Sequence, residues 1–221
     1  MFTNINKIFN FKAVALGVLS IIFVSGMTAP SLADTAKSPT VAEVKSFLAL
    51  QTDQIQAKAN SCKNAQQFVS YLKVKAPQII AFKYMSLWIL GKNKSKFSNT
   101  QLNEFCNIFS QELIEFYGAV LYQYRNTDLH LVGVDQLGAN DYRASFRVPL
   151  NKESVNFSWN LKFSPKNGKL LITDMLVNGI SFLQTKRFEY STLLVKHNYD
   201  IDSFLADIKK AKPSTVKMPK H

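Results

Sequence analysis

Little in this chain can do chemistry. Its 221 residues include only three histidines and two cysteines. They contain no G-x-S-x-G elbow, no H-E-x-x-H pair, no Walker loop and no Cys-x-x-Cys. His221 is the terminal residue, His130 falls within a strand pattern, and His197 falls at a helix end, where the dipole favours a cation. Asp174 is the one carboxylate inside an apolar stretch, and it reads more readily as a strand-end hydrogen-bond anchor than as a perturbed acid. No nucleophile, base and orienting group come together, so no catalytic residue, metal or cofactor is expected. Glycine is also scarce, at eight residues. The leading apolar stretch 13–27, which carries no charge, falls short of the roughly 18–20 residues a bilayer crossing needs. Cys62 and Cys106 could form a bridge in an oxidising compartment. That bridge would close a loop of about 45 residues and add about 4 kcal/mol on a loop-entropy basis. Two buried free thiols fit the sequence equally well.

The chain does carry an address. Lys7 and Lys12 precede the uncharged run, and Ser31-Leu32-Ala33 puts small residues where a signal peptidase would cut. That is a secretory leader over 1–33, with no cysteine after it to carry a lipid. Cleavage would leave 188 residues with 25 basic and 15 acidic side chains, a balance of +10. One ordinary domain, 34–212, is expected, followed by a flexible basic tail at 213–221. A basic exported protein can meet anionic headgroups or acidic partners. Nucleic acid is not expected, because most aromatics sit at core-like spacings rather than interleaved with basic residues. Seventeen phenylalanines against eight glycines imply either a large packed core or a surplus of bulky side chains that face a cavity.

Hydrophobic periodicity gives an α+β order. After a flexible start at 34–40, a helix is expected over 41–58, with Val44, Phe47, Leu48 and Ile55 on one side. A second is expected over 64–75. A third starts at Pro77, carries Ile80, Tyr84, Leu87 and Trp88, and stops at Gly91. Ser98 and Gln101 form a capping-box signature. It opens the longest helix, about 25 residues and ~38 Å, with an apolar stripe that includes Phe105, Phe109, Leu113, Tyr117 and Leu121. The period then changes to two. Tyr142, Ala144, Phe146 and Val148 alternate with polar residues, as do Val155, Phe157, Trp159, Leu161 and Phe163. Pro165-Lys166-Asn167-Gly168 is a turn, and 170–177 returns. About four antiparallel strands are expected, followed by helices over 180–197 and 201–210 packed back on them.

The stretch Asp174-Met175-Leu176-Val177-Asn178-Gly179-Ile180-Ser181, with Lys186-Arg187-Phe188-Glu189-Tyr190 after it, resembles a signature of the MlaC family. This is a family of periplasmic phospholipid-binding proteins, also called toluene-tolerance proteins. Lys83-Tyr84-Met85, Leu90-Gly91, Ser98, Gln101, Phe105, Phe109, Leu113, Tyr117 and Tyr124 resemble a second family pattern in the same register. The likeness covers nearly all of 41–211. It departs at Asn178, where the family usually has Glu, and at Asn93-Lys94, where an aromatic is usual; both bear on contacts near the opening of a site.

The resemblance implies a soluble monomeric carrier in the periplasm, on an arrangement that resembles NTF2-like folds. Its cargo would be a phospholipid, held by its tails with the headgroup outward. It would serve outer-membrane lipid asymmetry by working between an outer-membrane lipoprotein–porin complex and an inner-membrane ABC transporter. Two tails of about 30 methylenes carry roughly 25 kcal/mol of gross hydrophobic free energy. A carrier without a nucleotide site therefore needs a cavity nearly as good a solvent as the bilayer, toward the upper end of the usual ~300–1,000 Å³. The tails are expected in an apolar cavity between the long helix and the sheet. Tyr84, Trp88, Phe109, Leu113, Tyr117, Leu121, Phe146, Phe157, Trp159, Met175 and Ile180 are the candidate lining. Lys92, Lys94 and Lys96, with Lys186-Arg187, are expected as a basic set that steers the carrier. A small exported hydrolase, or a basic envelope protein that binds a partner without lipid, are the alternatives. The missing catalytic constellation counts against the hydrolase.

Overall fold

The computed structural model describes residues 36–211 except Asp128, Asn151 and Lys152. The leader expected at 1–33 and the tail expected at 213–221 lie outside the described residues. The helices are α1 (Val41–Ser61), α2 (Ala65–Lys75), α3 (Phe82–Leu90), α4 (Asn99–Gln123), α5 (Phe182–Lys196) and α6 (Ile201–Lys210). Between α4 and α5 run β1 (His130–Gln136), β2 (Asp141–Leu150), β3 (Glu153–Ser164), β4 (Lys169–Val177) and β5 (Ile180–Ser181). The fold is α+β, with a helical first half, one antiparallel sheet and two closing helices.

Local chemistry sets most of these boundaries. Ser98 Oγ accepts from the Gln101 N–H at 3.2 Å, and Gln101 Oε1 accepts from the Ser98 N–H at 2.9 Å. This satisfies two donors that the start of α4 would otherwise leave open, a stabilisation of about 1 kcal/mol. Thr40 and Glu43 make the same reciprocal box at α1. Gly91 ends α3 at φ 53, a left-handed conformation that favours glycine.

Two expectations change. The helix expected from Pro77 begins at Phe82, because Pro77 sits in a 3-10 turn and Ile80 then bridges Ile172. Ile172 N–H donates to Ile79 O at 2.8 Å and Ala81 N–H donates to Ile172 O at 2.9 Å. The free edge of β4 is thereby covered where β5 does not reach. Residues 36–40, expected to be a flexible start, are tied down. Ala36 N–H donates to Pro165 O, Ser38 Oγ to Asn140 Oδ1, and the buried Tyr142 hydroxyl to Pro39 O.

The sheet runs in the order β1-β2-β3-β4-β5 with every neighbour antiparallel. It has five strands rather than about four. The fifth is two residues long and follows Asn178-Gly179, with φ 49 and 81, the turn that favours Asn-Gly in a two-residue hairpin. Cross-strand pairs Ala144–Trp159 and Trp159–Met175 put the middle of β2, β3 and β4 in one register. Ile172 and Met175 both face the core although three residues apart. A bulge at Thr173, opposite Asn160/Leu161, shifts the alternation by one.

Helix α4 backs the core. Phe105, Phe109 and Leu113 on it are buried, and Phe97, Phe105, Tyr190 and Phe204 stack or meet edge-on with centroids 5.5–6.1 Å apart. Much of the phenylalanine surplus is consumed here, by packing.

Candidate functional site

Between α1 and the sheet lies an apolar cavity of about 120 Å³. Thr52, Ile55, Gln56 and Ala59 of α1 form one wall. The end of α4 and the turn after it supply Leu121, Tyr124, Arg125, Thr127 and Leu129. Val148 and Trp159 of the sheet complete it.

The local fold explains why the space exists. Helix α1 buries Val44 and Leu48 in its first turns and Ala59 in its last, while Gln51, Thr52, Ile55 and Gln56 between them are only half-buried. That middle face covers a cavity instead of packed side chains. Gln56 Nε2 donates to Arg125 O at 3.1 Å and to Thr127 O at 3.3 Å, latching α1 to the turn that follows α4. Arg125, the only charged residue of the lining among the described residues, is turned onto the Tyr122 ring at 4.3 Å and donates to Tyr122 O at 2.8 Å. Trp159 packs edge-on against Phe146 and Phe157, with centroids 4.7 and 5.7 Å away. Among the described residues no phenylalanine lines the cavity.

Of the residues expected from sequence, Leu121 and Trp159 line this cavity. Phe109, Leu113, Phe146 and Met175 are buried in the packed core, and Tyr117 and Phe157 lie half-buried against it. Tyr117 meets Phe182 edge-on at 5.8 Å. Its burial, with the Asp174 charge in second place, pushes its phenol well above the ordinary 10 and keeps it neutral. Trp88 lies under the Arg187 guanidinium at 3.6 Å. Tyr84 and Ile180 are on the exterior, 46% and 69% exposed. The α1 wall and the turn after α4 are what the sequence reading missed. The spacing 52, 55, 56, 59 is a helical stripe, but Thr and Gln interrupt its apolar character.

The other singled-out side chains have structural partners. Asp174 accepts from the Met175 N–H at 2.8 Å, the Ser181 hydroxyl at 2.6 Å and the Leu183 N–H at 3.2 Å, which is the anchoring role expected of it. His197 pairs with Asp207 at 2.9 Å. That bond holds the Asp207 carboxyl below its ordinary value. Cys62 and Cys106 are half-buried free thiols. Lys186 and Arg187, expected in a basic steering set, are not surface charges. Lys186 is 3% exposed and pairs with Glu112 at 2.5 Å and Glu189 at 3.0 Å. Arg187 donates to Trp88 O and stacks on its ring. Among the described residues no helix is long and apolar enough to cross a membrane, and no group of three or more His, Cys, Asp or Glu could hold a metal.

Residues 43–210 match the MlaC protein family. The chain belongs to the MlaC family. A solved structure with a similar fold is the phospholipid-binding protein from Ralstonia solanacearum in complex with a phospholipid. The likeness has a TM-score of 0.61 at 19% sequence identity and covers 79% of this chain and 100% of that one. The match over 43–210 takes in every element from the first turn of α1 to the end of α6, and so both walls of the cavity.

Proposed function

We propose that this MlaC-family protein is a periplasmic phospholipid carrier that moves lipid between the outer and inner membranes. The tails are held in an apolar cavity and the headgroup stays in water. The observation that carries the reading is the apolar cavity under α1, in a chain that belongs to the MlaC family and has a fold similar to that of a phospholipid-bound protein. Binding and transport, not catalysis, is the activity this supports. The partners proposed are phospholipid itself, an outer-membrane lipoprotein–porin complex and an inner-membrane ABC transporter. Export through a leader at 1–33 is part of the same proposal.

Volume sets the mechanism. At about 120 Å³ the cavity falls below the ~300–1,000 Å³ of ordinary ligand sites, far from room for two acyl tails. Loading therefore parts the walls. The tails enter beside Leu121 and Trp159 and extend along the seam between α4, with Phe109, Leu113 and Tyr117, and the sheet, with Phe146, Phe157 and Met175. Tyr84, Trp88 and Ile180 are kept as outlying candidates. Opening that seam removes packing contacts, and the tails replace them with hydrocarbon of similar quality, so the exchange is close to neutral.

Native mass spectrometry of the purified protein, with lipid extraction, tests this. Phospholipid should co-purify, in the mixture of headgroups the host membrane offers, because exposed ion pairs to a headgroup contribute only ~0–1 kcal/mol. Protein without lipid that turns over a panel of esters would sink the carrier reading in favour of a hydrolase.

A further inference from the structure

Helix α5 wears part of its apolar surface outside. Its inner face buries Lys186 beside Leu183, Tyr190 and Leu194, while Phe188 and Val195 are exposed on its outer face. Phe188, Thr192 and Val195 follow the i, i+4, i+7 spacing of a single helical stripe. Thr192 Oγ1 donates to Phe188 O at 2.9 Å, so its hydroxyl is spent on the backbone and its methyl is left for the stripe. Tyr199, also exposed, follows just past the helix end. A lone exposed apolar side chain is ordinary. An aligned set on a helix that hides a lysine calls for a reason, and helix propensity supplies none, since Phe, Thr and Val all rank below Lys.

The stripe has a basic neighbour. A Cβ on Gly91 would stand 3.2 Å from the Arg187 guanidinium of α5, and Lys96 rests over the Tyr199 ring at 4.2 Å. The 3-10 turn Gly91–Lys96 therefore runs alongside α5 and brings the exposed Lys92 and Lys94 with it. Among the described residues, none of Lys92, Lys94 and Lys96 is paired with a carboxylate. The exposed acids of this region are already engaged. Glu189 pairs with Lys186 at 3.0 Å, Asp207 with Lys196 and His197, Asp200 caps α6, and Asp202 accepts from Gln101 at 2.7 Å.

We infer that the outer face of α5, with the basic turn beside it, docks on the surface of an anionic bilayer. Phe188 and Val195 enter the interface, and Lys92, Lys94 and Lys96 draw the protein toward anionic headgroups. Shallow burial of apolar side chains beside cations is how a helix lies on a membrane without crossing it, and no described helix is long and apolar enough to cross. A bilayer fits better than a folded partner. Phe188 is 78% exposed on a convex helix face, so a protein would have to present a matching socket, whereas lipid closes around whatever enters it. The inference does not depend on where, or whether, a lipid is held inside the protein.

The test floats the protein, as recovered after export, with vesicles of phosphatidylcholine alone or mixed equally with phosphatidylglycerol. At low salt the parent should float with the mixed vesicles and stay behind with the neutral ones. Phe188→Ser should lower the partition coefficient roughly tenfold, the worth of burying much of one large apolar side chain, with the unfolding midpoint unchanged. Val195→Ser gives a second reading, with a loss of about threefold for its smaller side chain. Val74→Ser is the control. It removes a side chain 71% exposed on α2 and should leave binding as it was. Full binding by both α5 variants, or an equal loss in Val74→Ser, overturns the inference. A parent that floats with neither vesicle overturns it too, and phospholipid co-purifying with that parent would leave the carrier reading standing alone. Self-association that Phe188→Ser abolishes, in a parent that does not float, would put a second copy of the chain on the stripe in place of a membrane.

Discussion

Glu112 on α4 serves two side chains of α5 at once. One carboxylate oxygen takes the Lys186 ammonium and the other takes the Tyr190 hydroxyl. Lys186 is almost fully buried and Tyr190 is 2% exposed. Burial first, and the Glu112 charge second, push the Tyr190 phenol far above the ordinary 10, so it remains a neutral donor. Removing Glu112 leaves a buried hydroxyl unpaired and leaves Lys186 with only Glu189 of its two ion-pair carboxylates. Breaking a buried pair outright costs about 3–5 kcal/mol. Because Glu189 remains, Glu112→Ala should lower stability by about 3 kcal/mol, read as a shift in urea midpoint at constant slope. A loss under about 1 kcal/mol would mean the cluster is no more than a surface ion pair. The sequence shows Lys186-Arg187 as two adjacent charges and nothing more. Their burial follows from where α5 lands against α3 and α4, which no local pattern encodes.

Helix α4 and strands β2 and β3 were legible because their periodicity is also their burial. Phe105, Phe109 and Leu113 recur at helical spacing on the core face, and Tyr142, Ala144 and Phe146 alternate into the same core. The capping box of Ser98 and Gln101 worked for a similar reason, being complete within four residues. Where burial and period part company less could be read. The bulge at Thr173 hides the phase of β4, β5 is too short to have a period, and the middle of α1 covers a cavity instead of a core. The candidate cavity is lined from residues 52–59, 121–129, 148 and 159, which only the sheet and the α1–β1 packing bring together. The candidates read from sequence were the strongest apolar stripes, and strong stripes pack. What borders a cavity is weaker, such as the Thr52–Gln56 face. That makes α1 the element to perturb. Replacing Ile55 with Trp should fill the space next to Trp159 while leaving the sequence of α4 unchanged. Bound phospholipid should fall to less than half of the parent's, with the unfolding midpoint unchanged or higher. A folded Ile55→Trp protein that carries its full complement would move the tails to another part of the core.

The carrier proposed above would also have to find its donors and acceptors, and at the scale of the whole molecule the charge is unbalanced, +12 for the full chain. With Lys186 and Arg187 held inside, the expected steering would fall to Lys92, Lys94 and Lys96. They sit on the 3-10 turn Gly91–Lys96 and all are exposed. Lys96 rests over the Tyr199 ring at 4.2 Å, an exposed cation–π contact of about 0.5–1 kcal/mol. It links the turn to the segment between α5 and α6. Each basic residue near an anionic membrane contributes about 1 kcal/mol, and that field is screened over ~8–10 Å at physiological salt. Such a field acts on encounter and not on residence. Replacing Lys92, Lys94 and Lys96 together with Gln should slow lipid delivery to anionic vesicles at low ionic strength by roughly tenfold. The two rates should converge as salt is raised, and the dissociation rate of the docked carrier should not change. A transfer assay across a salt series reads all three. Equal rates for the variant and the parent at the lowest salt would return these lysines to ordinary surface charge, and the approach of the carrier to its membranes would then rest on shape and partner contacts alone.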